Sequence, residues 1–190
     1  MFKLIRQSLM MLMLMTVITG GIYPLLVTGI AQSVFNRQAN GSVIEFKGNA
    51  TGSALIGQPF DNPAYFWGRP SATTPQAYNA GSSLGSNLAT TNPAQIAAVK
   101  QRVNALHAAD PQNTALIPVD LVTASGSGLD PQISPAAAKY QVDRVARARH
   151  LDPALIQALV DRATEGRQLG LLGEPRVNVL ELNLLLDKRW

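Results

Sequence analysis

The side chains best suited to catalysis in this chain are two histidines, His107 and His150, and the chain has no cysteine. Neither histidine has a second one at the short spacing of a zinc site, and a Ser-His-Asp triad needs more than an isolated imidazole. We expect His107 on the third turn of a helix and His150 in the last turn of another helix, where a cation suits the helix dipole. The histidines therefore indicate no catalytic residue and no metal site.

Two stretches rich in glycine and serine have the composition of a phosphate-binding loop. Neither Ser125–Gly128 nor Gly81–Asn87 is followed by the lysine that a P-loop places after its glycines. The first is better interpreted as a turn in which Asp130 accepts backbone hydrogen bonds. Asp187-Lys188 does not continue into the aspartyl-phosphate motif of a P-type pump. We therefore expect no cofactor bound by this chain itself.

The charge pattern gives little support to nucleic-acid binding. The chain has 190 residues, of which 15% are charged, and a formal net charge of +4. Arg144–His150 followed by Pro153–Thr164 could form a helix-turn-helix, but two capped amphipathic helices also pack this way in ordinary domains. The chain also has no cysteine, so its folded domain must be held together by a hydrophobic core and not by disulfides. We expect no nucleic-acid partner.

Leu9–Ile30 is the longest apolar stretch, and no charge falls between Arg6 and Arg37. A helix of this length reaches about 33 Å, enough to cross a bilayer core of about 30 Å. A cleaved signal peptide with Leu9–Ile18 as its apolar region is the alternative. The apolar stretch continues beyond that region and no clean Ala-x-Ala site follows, so a retained anchor in the lipid bilayer is favoured.

The positive-inside rule orients this helix. Lys3 and Arg6 precede it, which predicts a short cytoplasmic N-terminus (1–8), a transmembrane helix (9–30) and one extracytoplasmic, periplasmic domain (31–190). Small residues near the middle of the span allow close approach of a neighbouring helix. The candidate partner interface within the span comprises Gly20, Gly21, Tyr23 and Pro24.

The remainder of the chain predicts an α+β domain. Alternating leucines from Leu180 to Leu186 suit either a strand or a helix, and the Asn178–Glu181 capping pattern favours a helix through about Lys188. Strands are expected at Val43–Phe46, Ala54–Gly57 and Leu116–Val122, with a hairpin turn at Lys47–Asn49. Helices are expected to start at Asn92-Pro93, Ser134-Pro135 and Asp152-Pro153, and the first of these helices should end at Asp110-Pro111.

Pro59–Pro93 is irregular in pattern but too rich in aromatic residues for a flexible linker. We expect an ordered lobe in which the rings of residues 65–67 pack inward. Such packing would fix Arg69, Ser71 and Asn87 on a surface that meets a partner, since arginine can form paired hydrogen bonds with carboxylates or carbonyls. The alternative is that the rings only fill a small core.

These motifs, taken together, resemble the C subunit (KdpC) of the bacterial Kdp potassium-transporting ATPase. The resemblance covers nearly the whole chain in order. It rests on Thr19–Leu25, Gln38–Ser42, Gly52–Gln58, Tyr65–Ala72, Gly85–Leu88, Asn92-Pro93, Pro118–Asp130, Ile133–Pro135, Arg144–Arg149 and Val177–Asn183. One departure is Leu84, where the family usually has glycine in a loop that has been likened to a nucleotide-contacting signature.

The resemblance implies a non-catalytic accessory subunit in the bacterial inner membrane. Its partners would be a channel-like potassium-translocating subunit, a P-type ATPase subunit and, as an open question, a further small membrane subunit. The complex, not this chain, would handle ATP and potassium. The family also carries a proposed role as a catalytic chaperone that raises the ATP affinity of the pump subunit. The alternative function is a stand-alone, membrane-anchored periplasmic enzyme or ligand-binding domain.

Overall fold

The computed structural model describes residues 2–189, which fall into two compact units that meet in sequence between Val43 and Ile44. The first unit is a run of helix made of α1 (Phe2–Val17), a π-helical segment (Ile18–Ile22), α2 (Tyr23–Val34) and the short α3 (Asn36–Ala39). Every residue of α1 and α2 is exposed or half-buried. Phe2–Val34 is long and apolar enough to cross a membrane.

The π-helical segment lies directly before Pro24. Pro24 cannot donate a backbone hydrogen bond, and its ring crowds the carbonyl four residues earlier. The backbone N–H of Tyr23 bonds the carbonyl of Ile18, five residues earlier, so the helix widens by one residue at this point. Gly20, Gly21 and Pro24 are all poor helix formers, and the structure has a widened turn where they occur.

The second unit combines helices with short antiparallel strands, which confirms the α+β prediction. A helix-free stretch of turns and loops, residues 54–92, separates an N-terminal hairpin from the first long helix. The elements that follow α3 are β1 (Val43–Phe46), whose first residue still belongs to the first unit, β2 (Asn49–Ser53), α4 (Pro93–Ala109), a 3₁₀ turn (Val119–Leu121), β3 (Gln132–Ile133), α5 (Pro135–Arg149), α6 (Pro153–Ala163), β4 (Thr164–Glu165), β5 (Arg176–Asn178) and α7 (Val179–Arg189).

The core of this unit lies between α5, α6, α7 and a three-stranded sheet. The sheet order is β3-β5-β4, and Val177 at its centre pairs with Ile133 on one side and Thr164 on the other. Apolar side chains from the helices and from the irregular stretch fill the core. Among the most deeply buried are Phe66, Ala137, Ala138, Val145, Ala146, Ile156, Val160, Val177, Leu182 and Leu186.

Three helices begin as the sequence predicts. Asn92, Ser134 and Asp152 each accept a hydrogen bond from a backbone N–H in the first turn, and a proline follows each of them. Helix α4 ends at Ala109, and Asp110 is its C-cap, also as predicted. The hairpin of β1 and β2 forms with its turn at Lys47-Gly48, which confirms that prediction as well.

The final segment is a helix, as favoured, and its alternating leucines are all buried. Leu180, Leu182, Leu184 and Leu186 are between 0% and 8% exposed. A helix that buries apolar residues on several faces loses the one-sided pattern by which helices are recognised. The Asn178 side chain accepts a hydrogen bond from the Glu181 N–H at 3.2 Å, which caps α7.

The predicted strand at Ala54–Gly57 is wrong. This segment is a turn whose backbone groups bond to distant parts of the unit. Asn178 Nδ2 donates to the Ala54 carbonyl at 2.8 Å, and the Gly57 N–H donates to the Leu129 carbonyl at 2.8 Å. Strand pairing is therefore replaced by a side-chain amide and a single loop contact.

The predicted strand at Leu116–Val122 is also wrong. Pro118 is followed by the 3₁₀ turn, and the Asp120 carboxylate accepts hydrogen bonds from the N–H and hydroxyl of Ser134. These bonds fix a tight turn in place of an extended strand, with Leu116 almost fully exposed.

The histidines lie close to the predicted places but not at them. His107 is in the last turn of α4, not the third turn. His150 follows α5 as its C-cap in the left-handed conformation, with φ of 56°. For His150 the cause is the helix bound, since α5 ends at Arg149, and such bounds are defined least well by sequence patterns. Helix α4 has its predicted bounds, so the turn predicted for His107 was too early within a correctly placed helix.

Candidate partner-binding site

Two buried amide side chains hold the aromatic triplet Tyr65-Phe66-Trp67. Asn183 Oδ1 accepts from the Phe66 N–H at 2.9 Å, and its Nδ2 donates to the Phe66 carbonyl at 3.0 Å. In the same way, Gln141 Oε1 accepts from the Trp67 N–H at 2.8 Å, and its Nε2 donates to the Trp67 carbonyl at 3.1 Å. The two side chains are 2% and 1% exposed. They take the place of a neighbouring strand and fix an irregular segment in the core.

Arg144 covers the ring of Trp67. Its guanidinium lies 4.3 Å from the ring centre and donates to the Pro63 carbonyl and to Gln141 Oε1, each at 2.6 Å. The residue is 4% exposed, and burial lowers the pKa of Arg144 to about 10. It is still a cation at neutral pH, so its charge serves the hydrogen bonds and the ring contact inside the unit.

Arg149 holds Tyr65 in the same way. Its guanidinium lies 4.7 Å from the ring centre, its Nε donates to the Ala64 carbonyl, and its Nη2 bonds Asp187 at 2.8 Å. The Tyr65 hydroxyl donates to the same carboxylate at 3.0 Å. Burial, with Asp187 as a second cause, raises the pKa of Tyr65. The arginines of α5 therefore fasten the triplet to the domain.

Arg69 comes two residues after the triplet and is only partly engaged. Its Nη1 bonds Asp130 Oδ2 at 3.1 Å, and the two side chains are 26% and 28% exposed. Among the residues that the structure describes, its Nε is buried without a hydrogen-bond partner. The hydrogen bonds of its own domain therefore leave part of this guanidinium unused.

Ser71 is committed to bonds within the domain. Its hydroxyl donates to the Gly128 carbonyl at 2.7 Å and accepts from the Tyr78 N–H at 2.9 Å. It is half-buried. Asn87, in contrast, is exposed and has a left-handed φ of 52°. The partner contact predicted for these residues stays a prediction. Ser71 also has a structural role, since its hydroxyl links separate segments of the lobe and the loop that contains Gly128.

The loop at residues 123–130 is fastened to the lobe. Leu84 N–H donates to the Ser127 carbonyl at 2.9 Å, and a side chain at Gly128, which has φ of 68°, would collide with Thr73 and with the Leu84 carbonyl. Asp130 accepts from the Gln132 N–H, as the turn interpretation predicts. Leu84 itself is 42% exposed, so its side chain does not disturb this contact between the two loops.

Two openings lie beside Arg69. The first is a cavity of about 270 Å³ lined by Phe60, Trp67, Tyr78 and Arg102, among others. Tyr78 donates its hydroxyl hydrogen to the Arg69 carbonyl. Burial, with Asp130 as a second cause, raises the pKa of Tyr78 to about 12. The cavity therefore has aromatic walls and a cationic side.

The second opening is a groove on which Arg69 and Asp130 also border. Its other side is formed by Val119 and by Glu174–Arg176. Val119 is 69% exposed. Arg69 therefore lines both an aromatic cavity and a groove of mixed polarity.

The candidate site residues form two groups, one in each unit. Gly20, Gly21, Tyr23 and Pro24 belong to the first unit. A side chain added at either glycine would meet no atom of the described residues within 4 Å, so this face of the helix is open within the chain. In the second unit the structure brings Arg69 and Ser71 together through Tyr78, while Asn87 stands apart on the surface.

Sequence reasoning missed the residues that hold the lobe, above all Gln141, Arg144 and Asn183. A signal was present, since Gln141 lies three residues after Ala138 and four before Val145, on the side of the helix that the spacing of these two apolar residues defines. A polar side chain in such a stripe has to find a partner inside the fold.

Comparison with known proteins identifies what the chain resembles. The family model described as "KdpC: K+-transporting ATPase, c chain" matches residues 5–188. The Potassium-transporting ATPase KdpC subunit of Methylococcus capsulatus is 65% identical over 182 residues, which cover 96% of each chain. Subunits of the same description from Sorangium cellulosum and Dechloromonas aromatica are 61% and 59% identical, again over 96% or more of each chain.

Proposed function

The chain belongs to the family of KdpC subunits of potassium-transporting ATPases, and from this premise we propose that it assembles and stabilises the Kdp complex. As a KdpC subunit it is a non-catalytic component of that complex, whose other subunits are its partners. The stand-alone enzyme or ligand-binding domain weighed from the sequence is therefore set aside. The proposed partners in the complex are the potassium-translocating, channel-like subunit and the ATP-hydrolysing subunit.

The observation that carries the proposal is the exposed apolar helix. Phe2–Val34 is long and apolar enough to cross a membrane, and its most apolar part is not buried at all within the chain. A helix with apolar side chains on all sides needs lipid or other helices around it. The open surface at Gly20 and Gly21 gives a neighbouring helix a place for close approach.

The proposed topology follows from the charges that flank this helix. Lys3 and Arg6 keep the N-terminus cytoplasmic, and the domain from about Ala31 onward is periplasmic, in a single-pass protein of the inner membrane. ATP would then be on the opposite side of the membrane from the domain. Any increase in ATP affinity of the pump subunit would have to pass through the membrane helix, and ATP and potassium would be handled by the partners.

The domain contributes a second contact through Arg69. Its pair with Asp130 leaves part of the guanidinium unused, between an aromatic cavity and a groove. A carboxylate or a carbonyl from a partner would match this donor. We infer that Arg69, with Ser71 supporting the lobe and Asn87 on its surface, holds the interface and does not coordinate potassium, since like charges repel.

Replacement of the small residues of the helix tests the proposal. Gly20→Leu with Gly21→Leu should loosen the complex because the added side chains keep a neighbouring helix at a distance. The measurement is co-purification of the partner subunits with the full chain in mild detergent. Gly29→Leu is the matched control, since a side chain at Gly29 also meets nothing within 4 Å of its own chain.

Membrane insertion and topology are checked in the same strains. Protease added to spheroplasts should digest the chain beyond Ala31 in wild type and in both variants. Full protection would contradict the periplasmic placement. Unchanged co-purification of the partners with the Gly20 and Gly21 variant would show that the glycines serve only the local shape of the helix.

A further inference from the structure

The loop between β4 and β5 presents three leucines to solvent. We define the leucine loop as Arg167–Glu174, in the hairpin formed by these strands. Leu169, Leu171 and Leu172 are 91%, 80% and 59% exposed. Most large apolar side chains of this unit lie in its core, so three neighbouring exposed leucines at the tip of a hairpin are a feature that calls for a partner.

The loop is held in a definite shape. Gln168 and Leu172 exchange two backbone hydrogen bonds of 2.9 Å, which closes a three-residue turn at residues 169–171. Leu169 and Gly170 are both in the left-handed region, with φ of 54° and 74°. Such a conformation is unfavourable for leucine, and a polar residue such as asparagine would suit position 169 better. The turn therefore keeps an exposed leucine at a local cost.

The charges around the leucines are paired with one another. Arg167 Nη2 bonds both carboxylate oxygens of Glu174 at 2.8 Å, and Arg176 pairs with Glu165 at 2.9 Å. A segment that binds an anionic membrane surface usually offers free basic side chains. A neutral, paired rim around an apolar centre is instead the pattern of a protein–protein contact.

The base of the hairpin continues into the groove beside Arg69. Glu174, Pro175 and Arg176 line that groove, and exposed Val119 borders it. The leucines and Arg69 can therefore belong to one continuous surface of the domain. The apolar side chains would supply burial, and the guanidinium would supply a directed hydrogen bond.

We propose that the leucine loop inserts into an apolar pocket on the extracytoplasmic face of another subunit of the Kdp complex. This rests on the proposed function and names the contact through which the domain meets its partner. The leucines act as anchors, and the ion pairs around them exclude water without adding net charge. The contact requires Leu171 and Leu172 to lose most of their exposure when the complex forms.

A polar replacement at the tip gives the first test. Leu171→Ser with Leu172→Ser, in the full chain, should weaken recombination with partner subunits purified without it by about tenfold or more. Leu116→Ser is the matched control, because Leu116 is 95% exposed and lies outside the loop. The thermal stability of the variants should stay that of wild type, since the leucines do not contribute to the core.

A fluorescent label distinguishes the possible occupants. The chain has no cysteine, so Leu171→Cys provides a unique site for an environment-sensitive dye on the purified full chain. A blue shift of the dye in vesicles that hold the partner subunits, and not in vesicles of the same lipids alone, is the expected result. A shift in the lipid vesicles alone would assign the loop to the membrane, and a concentration-dependent shift without partners would assign it to a second copy. Either would overturn the proposal.

The two proposals fail in different ways. If wild type and the Leu171, Leu172 variant bind the partner subunits equally, the leucine loop is not the anchor while the assembly role stands. If wild type itself does not recombine with the partners, the assembly role fails and the leucine loop proposal fails with it.

Discussion

Arg144 and Arg69 lie against the same aromatic lobe but in opposite situations. Arg144 is 4% exposed, covers the Trp67 ring and donates to two acceptors of its own chain. The Arg69 side chain is 26% exposed, has one ion pair, and its Nε is without a partner among the described residues. A fully used cation serves the fold, whereas the partly used Arg69 is the one that we assign to a partner contact.

The apolar side chains show the same contrast between residues that are used within the fold and residues that are left at the surface. Phe66 is fully buried, and its backbone is bonded on both sides by Asn183. The leucine loop leaves its apolar side chains in solvent and is held by its own turn and ion pairs. Burial within the chain therefore marks the part that keeps the domain folded, and exposure of apolar groups marks the part that we assign to binding.

The largest effect on folding should come from Arg144→Ala. Each hydrogen bond from a charged donor is worth about 1.5–3 kcal/mol, and relief of the desolvation of the cation offsets part of the loss. We expect the free energy of unfolding to fall by about 2–4 kcal/mol. Chemical denaturation of the full chain in detergent, followed by tryptophan fluorescence, measures it.

The matched control is Arg162→Ala, which removes an exposed arginine from α6. It should change the free energy of unfolding by less than about 0.5 kcal/mol. A loss at Arg144 no larger than at Arg162 would mean that the buried guanidinium does not fasten the lobe.

A smaller effect, with a distinctive pH dependence, is expected from Tyr78→Phe. Loss of the hydroxyl bond to the Arg69 carbonyl should cost about 1 kcal/mol near neutral pH. The folded pKa of Tyr78 is raised to about 12, above the ordinary value of 10.0. Its neutral form therefore stabilises the wild type fully below about pH 10, and this stabilisation is lost as the pH rises toward 12.

By about pH 11, ionisation of Tyr78 should have lowered the free energy of unfolding of the wild type by about 1.4 kcal/mol. The stability difference between wild type and Tyr78→Phe should therefore disappear. The lowered pKa of Arg144 acts in the opposite direction, but it is common to both proteins and cancels in the difference. Denaturation curves from about pH 8 to 11 measure the difference. A gap that stays constant would show that Tyr78 titrates in the folded protein as it does in the unfolded one.

The sequence predicts the elements whose signals are local. The caps at Asn92, Ser134 and Asp152 define three helix starts because each needs only its own first turn. The expectation that the lobe is ordered holds for the triplet, since its rings and backbone are fixed in the core.

What the sequence could not show depends on partners distant in the chain. Ala54–Gly57 looks like a strand, but its backbone bonds go to Asn178 and Leu129, which no local pattern indicates. The pairing of Arg69 with Asp130 spans 61 residues, and the amides that hold the triplet come from α5 and α7. The exposed leucines are apolar by sequence, and only the structure shows that they are outside the core.

The most direct test of the account measures two quantities for Arg69→Ala, the free energy of unfolding of the chain and the free energy of its association with the partner subunits. Unfolding of the chain should change by no more than about 1 kcal/mol, because the pair with Asp130 is partly solvated. Association with the partner subunits should weaken by about 1.5–3 kcal/mol, as expected for loss of a charged hydrogen bond. Arg69→Lys, which keeps the charge but loses the planar fork, should fall between wild type and Arg69→Ala in association. Unchanged association, or a loss of folding stability as large as that of Arg144→Ala, would contradict the assignment of Arg69 to the partner surface.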